Sequence, residues 1–342
     1  MSGTTTAPPP TAPPALPVGG RRVPRLGRMR DLALVPAIVV LVVVGALIDP
    51  VFLSTNNIVN VLQQQTELSL LVLAEAIILI GGRFDLSLES TVGLAPALAV
   101  ALVIPAASNG LGTEWSTALA IPLCLLIGLA IGAFNGLMIL RFGLSAFIVT
   151  LGMLIVLRGL QIGITGGQNL FELPESVLYL GNAVWAGLPA SIWICAILFA
   201  IGIAVLGYFR HGRAVYAIGG NIDAARAAGI RADRVIWIVF MVGGVLAALA
   251  GLMMTGRLGS VAAAQGQGMI FTVFAAAVIG GVSMEGGKGT LFGALCGVIV
   301  LGLINNILTL AGVSAQWIQA IYGLIILVAL MLARLTTGKA QD

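Results

Sequence analysis

Residues 219–230, GGNIDAARAAGI, form a short, alanine-rich, charge-bearing interruption between two long apolar runs. Asn221 is a good helix N-cap, Ile222 to Ala228 favour or tolerate helix, and Gly229 stands where a helix would end in the left-handed conformation. Seven residues at 1.5 Å each rise about 10 Å, too little to cross a bilayer. The segment therefore lies outside the hydrocarbon, and the runs on either side cross it. Ala224, Ala225, Ala227 and Ala228 leave a slim surface that a partner backbone can approach closely, while Asp223 and Arg226 can pair locally at i,i+3. A solvated linker between two bundles of spans and a helix that fits a partner's groove both satisfy this pattern. Gly219 and Gly220 before the helix and Ile230 after it, within the longest loop of the chain, favour the groove.

Composition puts the rest of the chain in a membrane. Of 342 residues, 59% are hydrophobic and 9% charged, and mean hydropathy is +1.09, whereas about a quarter of the residues of soluble domains are charged. No soluble fold hides that much apolar surface. The net charge of +4 is small, and the basic residues are not interleaved with aromatics, so no nucleic-acid partner is expected. Cys124, Cys195 and Cys296 lie inside apolar runs without zinc or redox spacing and read as small buried hydrophobes. His211, the sole histidine, sits beside Arg210 and Arg213 and reads as a solvated loop residue. No Ser/His/Asp or Cys/His grouping is available, so no catalytic residue, metal or cofactor is expected, and the chain does not read as an enzyme.

A span needs about 20 mostly apolar residues, with about 17 tolerated. That rule places ten: 32–48, 67–80, 91–107, 117–140, 145–165, 191–208, 235–256, 270–284, 291–311 and 315–333. Residues 1–31 form a Pro-rich, then Arg-rich tail that cannot build a packed core. The apolar run after it is long and lacks a small-x-small cleavage site, so it reads as a retained first span rather than a secretory signal. With the N-terminus inside, ten spans put every Lys and Arg on the cytoplasmic side except Arg158 and Arg257. Cytoplasmic loops collect such charge. Adding or losing one span would reverse the later loops and spoil the asymmetry. The expected fold is an all-α polytopic membrane protein of about ten spans with a single transmembrane domain over 32–333, a cytoplasmic loop over 209–234, a short tail at 334–342, and both termini in the cytoplasm.

Several polar residues fall within or beside the spans. Glu75 could serve as a proton relay, stay neutral, or pair with Arg83. Asp85 and Ser87 could cap the next segment. Arg158 could snorkel to the headgroups or line a path. Asn135, Gln161, Asn305 and Asn306 are uncharged amides that either join helices or face an aqueous path suited to a neutral polyhydroxylated solute. Two short spans end alike, at Gly81-Gly82 and Gly280-Gly281, the pattern of broken helices around a transport path, or simply of two glycine-rich turns. The nearest approach to a phosphate-cradling loop, GGVSMEGGKGT at 280–290, fails: Val282 stands where the first glycine belongs, and Gly289 follows Lys288. The segment reads as a tight turn between two spans, and no phosphate-cradling loop is found in the chain.

The stretch AVYAIGGNIDAARAAGIRADRV (214–235), with Gly212 and Arg213 ahead of it, resembles the coupling segment of the ribose, xylose and galactose class of ABC importer permeases. So, in order, do GGRFDLSLES (81–90), GAFNGLMILRFGLSAFIVTLGMLIVLRGLQIGITGG (132–167) and AAAVIGGVSMEGGKGTLFGALCGVIVLGLINN (275–306). The resemblance covers roughly residues 50–335. It implies a type II importer permease in the cell membrane that pairs with a second copy, carries two cytoplasmic ABC ATPase domains, and receives solute from an extracytoplasmic sugar-binding protein. It also implies that Gly219, Gly220, Asn221, Ala224, Ala225 and Gly229, with Ile230 beside them, belong to the helix docked into the ATPase. Arg83, Phe84 and Glu89 depart from the usual pattern, as does Glu75, where relatives are usually uncharged. The implied function is import of a monosaccharide, pentose or hexose, by alternating access driven from outside the chain. An ion-coupled secondary carrier using Glu75 is the alternative.

Overall fold

The computed structural model describes residues 34–314 and, beyond them, 316–318, 320, 321, 323, 324 and 327. The tail at 1–31, much of the tenth expected span and the tail at 334–342 lie outside the described residues. The chain is helical almost throughout: α1 Val35–Ile48, α2 Thr55–Ile80, α3 Leu88–Val103, α4 Ala120–Arg141, α5 Ala146–Thr165, α6 Glu175–Asn182, α7 Ala190–Tyr208, α8 Arg210–Gly220, α9 Ile222–Ala227, α10 Ala232–Leu258, α11 Met269–Ile279 and α12 Leu291–Leu310. A two-residue hairpin, β1 Val184–Trp185 with β2 Leu188–Pro189, precedes α7. Its turn residues Ala186 and Gly187 both have positive φ, the geometry that matches strand twist in such tight turns.

Five helical stretches are long and apolar enough to cross a membrane: Thr117–Arg141, Ala146–Thr165, Ala190–Tyr208, Ala232–Leu258 and Leu291–Leu310. Their outward faces are greasy, with Leu126, Ile148, Ile155 and Ile197 all more than half exposed. That is the pattern of a bundle whose outer solvent is lipid.

Helix α2 differs from the expected span over 67–80. It begins twelve residues earlier, where Ser54 accepts the Asn57 N–H at 3.3 Å and caps it, and its 26 residues rise about 40 Å. The polar run Gln63-Gln64-Gln65-Thr66-Glu67 made that half look extramembranous. From Thr66 to Ile80 nearly every residue is buried, because α10, α11, α12, α7 and α8 surround it. A helix packed on all sides need not be apolar on all sides.

Helix α10 lies against α4 across glycines. A Cβ on Gly128 would stand 2.3 Å from the Gly244 carbonyl oxygen, and one on Gly132 would stand 2.2 Å from that of Phe240. In lipid, where apolar side chains gain little by leaving the tails, such close approach supplies the packing that holds helices together.

The loops sort to two ends. At one, the 81–87 turn, the 142–145 turn, the 209–231 segment and the 280–290 turn meet: the Gly287 N–H donates to the Ile80 carbonyl at 2.8 Å, and Arg83, Gly143 to Phe147 and Arg226 line one recess. At the other, Leu170 bridges Val261, Ser108 bonds Glu172, and Asn169 accepts the Ala263 N–H at 2.9 Å. Among the described residues the longer helices therefore run alternately between the ends, while α8 and α9 both lie at the first.

The glycine crossings yield a stability test. Gly132→Leu is expected to cost at least about 1–3 kcal/mol through overpacking, read as earlier thermal aggregation in detergent. Gly152→Leu, at an exposed position with no neighbour within 4 Å of a new Cβ, is expected to leave the unfolding temperature unchanged.

Candidate functional site

Two features stand out: a glycine joint at one end and a polar cluster inside the bundle. The joint starts from α9. Asn221 Oδ1 accepts the Ala224 N–H at 2.9 Å. At the other terminus the Gly229 N–H donates to Arg226 and the Ile230 N–H to Ala225, at 2.9 and 3.0 Å, with Gly229 at φ +81°. This is a Schellman stop. Ala224, Ala227, Ala228 and Gly229 are exposed, whereas Ala225 is 4% exposed and turned into the bundle. Arg226 pairs with Asp233 across the turn at 2.7 Å rather than with Asp223.

Gly219 does not face outward. A Cβ there would sit 1.9 Å from the Ile80 carbonyl oxygen and 2.6 Å from the Gly287 nitrogen. Gly82 and Gly286 close on the same point: a Cβ on Gly286 would stand 2.7 Å from both the Gly219 oxygen and the Gly82 Cα. The Tyr216 hydroxyl adds a bond to the Gly289 carbonyl at 2.8 Å. Three backbone segments, one of them leading directly into α9, are thus in contact without intervening side chains. Gly220 has open space around its own Cβ position and is exposed.

The two glycine pairs noted in the sequence end their helices identically. Gly82 bonds to Leu79 and Arg83 to Ile78; Gly281 bonds to Val278 and Val282 to Ala277. The second glycine of each pair is left-handed, at φ +73° and +80°. After the first pair the chain turns back into the bundle, so α3 starts in the interior.

That interior start is surrounded by buried polar groups. Asp85 Oδ1 accepts the Ser87 N–H at 2.9 Å and its hydroxyl at 2.6 Å, and Asn135 on α4 donates to the Ser87 hydroxyl at 2.7 Å. Glu75, fully buried, accepts the Asp85 N–H at 3.4 Å through one oxygen. Arg83 bonds the Gly82 carbonyl and forms no ion pair with Glu75 among the described residues.

Arg158 turns inward. Its guanidinium lies 3.3 Å from Glu89 and donates to Gln161 Oε1 at 3.0 Å and to the Gln265 carbonyl at 2.8 Å. Glu89 also accepts the Ile270 N–H at the start of α11 at 3.2 Å. Gln265 lies on a loop that folds back into the bundle; its amide donates to the carbonyls of Val92 and Gly251 at 3.0 and 3.1 Å. The Val92 carbonyl needs that donor, because Pro96 four residues on has no N–H to offer it. Gly93 makes room: a Cβ there would overlap Gln161 at 2.1 Å. Asn306 exchanges amide bonds with Asn57 at 2.9 Å, joining α12 to α2. The Asn305 side chain has no part in these networks among the described residues; the Asn305 backbone carbonyl accepts the Thr309 hydroxyl at 2.8 Å.

Of the polar residues singled out in the sequence, the fold gathers Glu75, Asp85 and Asn135 into one cluster and Arg158 with Gln161 into another. Sequence reasoning did not single out Glu89 as a site, nor Gln265, nor the ion pair of Glu67 with Arg257 at 2.7 Å. Gln265, between glycines at 259, 266 and 268, was within reach of a pattern search for lone polar residues beside glycine-rich turns. The Glu67 partnership, linking residues 190 apart, was not. The three cysteines are buried and His211 is exposed; the described residues hold no group of His, Cys, Asp and Glu able to bind a metal.

A helical bundle with broken helices, buried polar pairs and a lipid-facing exterior defines a polytopic membrane permease. Residues 57–330 match the pattern of the family described as the branched-chain amino acid transport system / permease component, and the chain belongs to that family. It is 32% identical over 318 residues to the ribose import permease protein RbsC of Escherichia coli (strain K12), covering 92% of this chain and 97% of the relative. It is 33% identical to the ribose import permease of Haemophilus influenzae, covering 86% and 90%. It is 35% identical to the autoinducer 2 import system permease protein LsrC of Enterobacter sp. (strain 638), covering 89% and 86%. No solved structure matches the chain. Its relatives are membrane transport permeases, and the chain is a membrane protein.

The buried ion pair yields a second test. Arg158→Met leaves Glu89 buried without its cation and is expected to cost about 3–5 kcal/mol. The double variant Arg158→Met with Glu89→Gln is expected to recover most of that loss, as measured by denaturant unfolding in detergent.

Proposed function

We propose that this chain is the membrane permease of an ABC importer that moves a monosaccharide, pentose or hexose, into the cytoplasm by alternating access. ATP is bound by partner ATPase subunits, two per assembly. A second copy of the chain completes the passage, and a sugar-binding protein delivers the solute on the other side. The relatives named for ribose import and for autoinducer 2 import support the solute class. The segregation of Lys and Arg to the end that carries α9 supports a cytoplasmic position for that end.

The observation that carries this reading is the capped helix Ile222–Ala227 standing at the glycine joint. A push on the exposed face of α9 reaches Gly219, and through bare backbone contact it reaches the ends of α2 and α11. No flexible side chain lies between to absorb it. Displacement of those ends would tilt the broken helices around the passage.

The buried position of Ala225 redirects the test of docking to its exposed neighbours. Ala224→Trp and Gly229→Val, the latter forcing a β-branched residue to φ +81°, are expected to cut co-purification of the partner ATPase at least tenfold, equal to about 1.4 kcal/mol. Membrane insertion should be unchanged. Retention of both ATPase binding and uptake in these variants would remove the coupling role. Glu75→Gln separates the readings further: ATP-driven uptake in reconstituted vesicles should persist, and dependence on an ion gradient that is lost in this variant would instead identify a secondary carrier.

A further inference from the structure

The outer-facing half of α2 carries polar residues where a lipid-facing helix should not. Asn56, Asn60 and Gln64 are all exposed. At about 100° per residue they and Glu67 fall within one arc of about 80°. The other exposed face of the same half carries Ile58 and Leu62, 44% and 41% exposed. Helix α2 therefore shows one apolar stripe and one amide stripe. An amide that has lost water and found no partner in hydrocarbon is costly, so the amide stripe faces water.

The stripe runs from the end opposite α9 down to residue 67, halfway along the helix, and there it meets a built polar site. Glu67, 2% exposed, holds the Arg257 Nε at 2.7 Å. Gly181 lets α6 close on the backbone carrying that arginine, since a Cβ there would stand 2.1 Å from the Arg257 nitrogen. Gln63 ties α2 to the Gly181 carbonyl at 3.0 Å. The guanidinium is fixed through Nε and stays about a quarter exposed, and among the described residues its two Nη groups make no hydrogen bond. The second Glu67 oxygen is also unpartnered.

Resting on the importer reading, we infer that Asn60, Gln64 and the free Nη groups of Arg257 form a solute-binding subsite for a neutral polyhydroxylated molecule, at the floor of a water-filled half-passage lined by α2. The chemistry selects the class. Fixed N–H donors meet hydroxyl oxygens, amides both give and accept, and Glu67 cancels the arginine charge that would otherwise call for an anion. Glu67 is the positioning residue and Arg257 the recognising one. The planar guanidinium fork cannot be replaced by the point charge of lysine.

The test uses the full transporter assembled with its partners. Asn60→Cys and Gln64→Cys are treated with a small membrane-impermeant thiol reagent, with Val43→Cys on the lipid-exposed face of α1 as reference; the native cysteines are buried. Both substituted sites are expected to react at least tenfold faster than the reference. Uptake of radiolabelled D-ribose and D-galactose is measured in Arg257→Lys and Gln64→Leu, expecting at least a tenfold rise in the concentration for half-maximal uptake. Thiols at 60 and 64 that stay as slow as the reference, or that cross-link to a second copy without reacting in water, overturn the passage. Wild-type affinity in both uptake variants overturns the subsite. Failure of the wild-type assembly to import either sugar would count against the importer reading instead, while thiol reactivity still decides whether the half-passage exists.

Discussion

A helix that begins inside a bundle presents up to four N–H groups with no helical partner, and lipid offers no water to satisfy them. This protein starts α3 and α11 there. Glu89 is the residue that permits it: lodged in the first turn of α3, it accepts the Ile270 N–H of α11 at 3.2 Å and the Arg158 guanidinium at 3.3 Å. A carboxylate near two helix N-termini is favoured by both dipoles, and the arginine neutralises what the dipoles leave. Gln265 does the complementary service for acceptors, donating to the Val92 carbonyl that Pro96 leaves free. The break in the bundle is thus held open by a closed set of polar side chains.

Once the helices are broken, the way their ends are joined decides how a displacement would pass between them. Side chains between two elements can change rotamer and dissipate a displacement. Backbone against backbone cannot, and that is the contact among Gly82, Gly219 and Gly286. The matching Schellman stops at Gly82 and Gly281 give α2 and α11 the same handle. Polar networks hold the starts of α3 and α11, and glycine contacts hold the ends of α2 and α11.

Much of this was legible in the chain. Lengths of apolar runs and the distribution of arginine gave the helical membrane architecture, and Asn221 and Gly229 gave the limits of α9, because caps are local chemistry. The start of α2 was hidden by its glutamines. Hydropathy assumes that a spanning residue sees lipid, whereas Thr66 and Glu67 see protein. The inward turn of Ala225 was hidden as well, since six helical residues offer too little periodicity to orient a face. Arg158 was ambiguous for a deeper reason: snorkelling and pairing use the same side-chain length, and only the position of Glu89, 69 residues away, decides between them.

The Glu75 cluster shows how a buried carboxylate can be structural. Here the chain of bonds runs from Glu75 through the Asp85 backbone and side chain to Ser87 and Asn135. It then ends at an Asn135 carbonyl oxygen and a second Glu75 oxygen that make no hydrogen bond. All four residues are at most 1% exposed. Their bonds do have an evident local use: they fold residues 85–87 back from the Gly81-Gly82 turn and deliver α3 to its interior start. Removal of the Asp85 bonds would free that return strand and with it the position of Glu89, on which both short helices rest. The bonds of the cluster therefore account for the geometry at the start of α3.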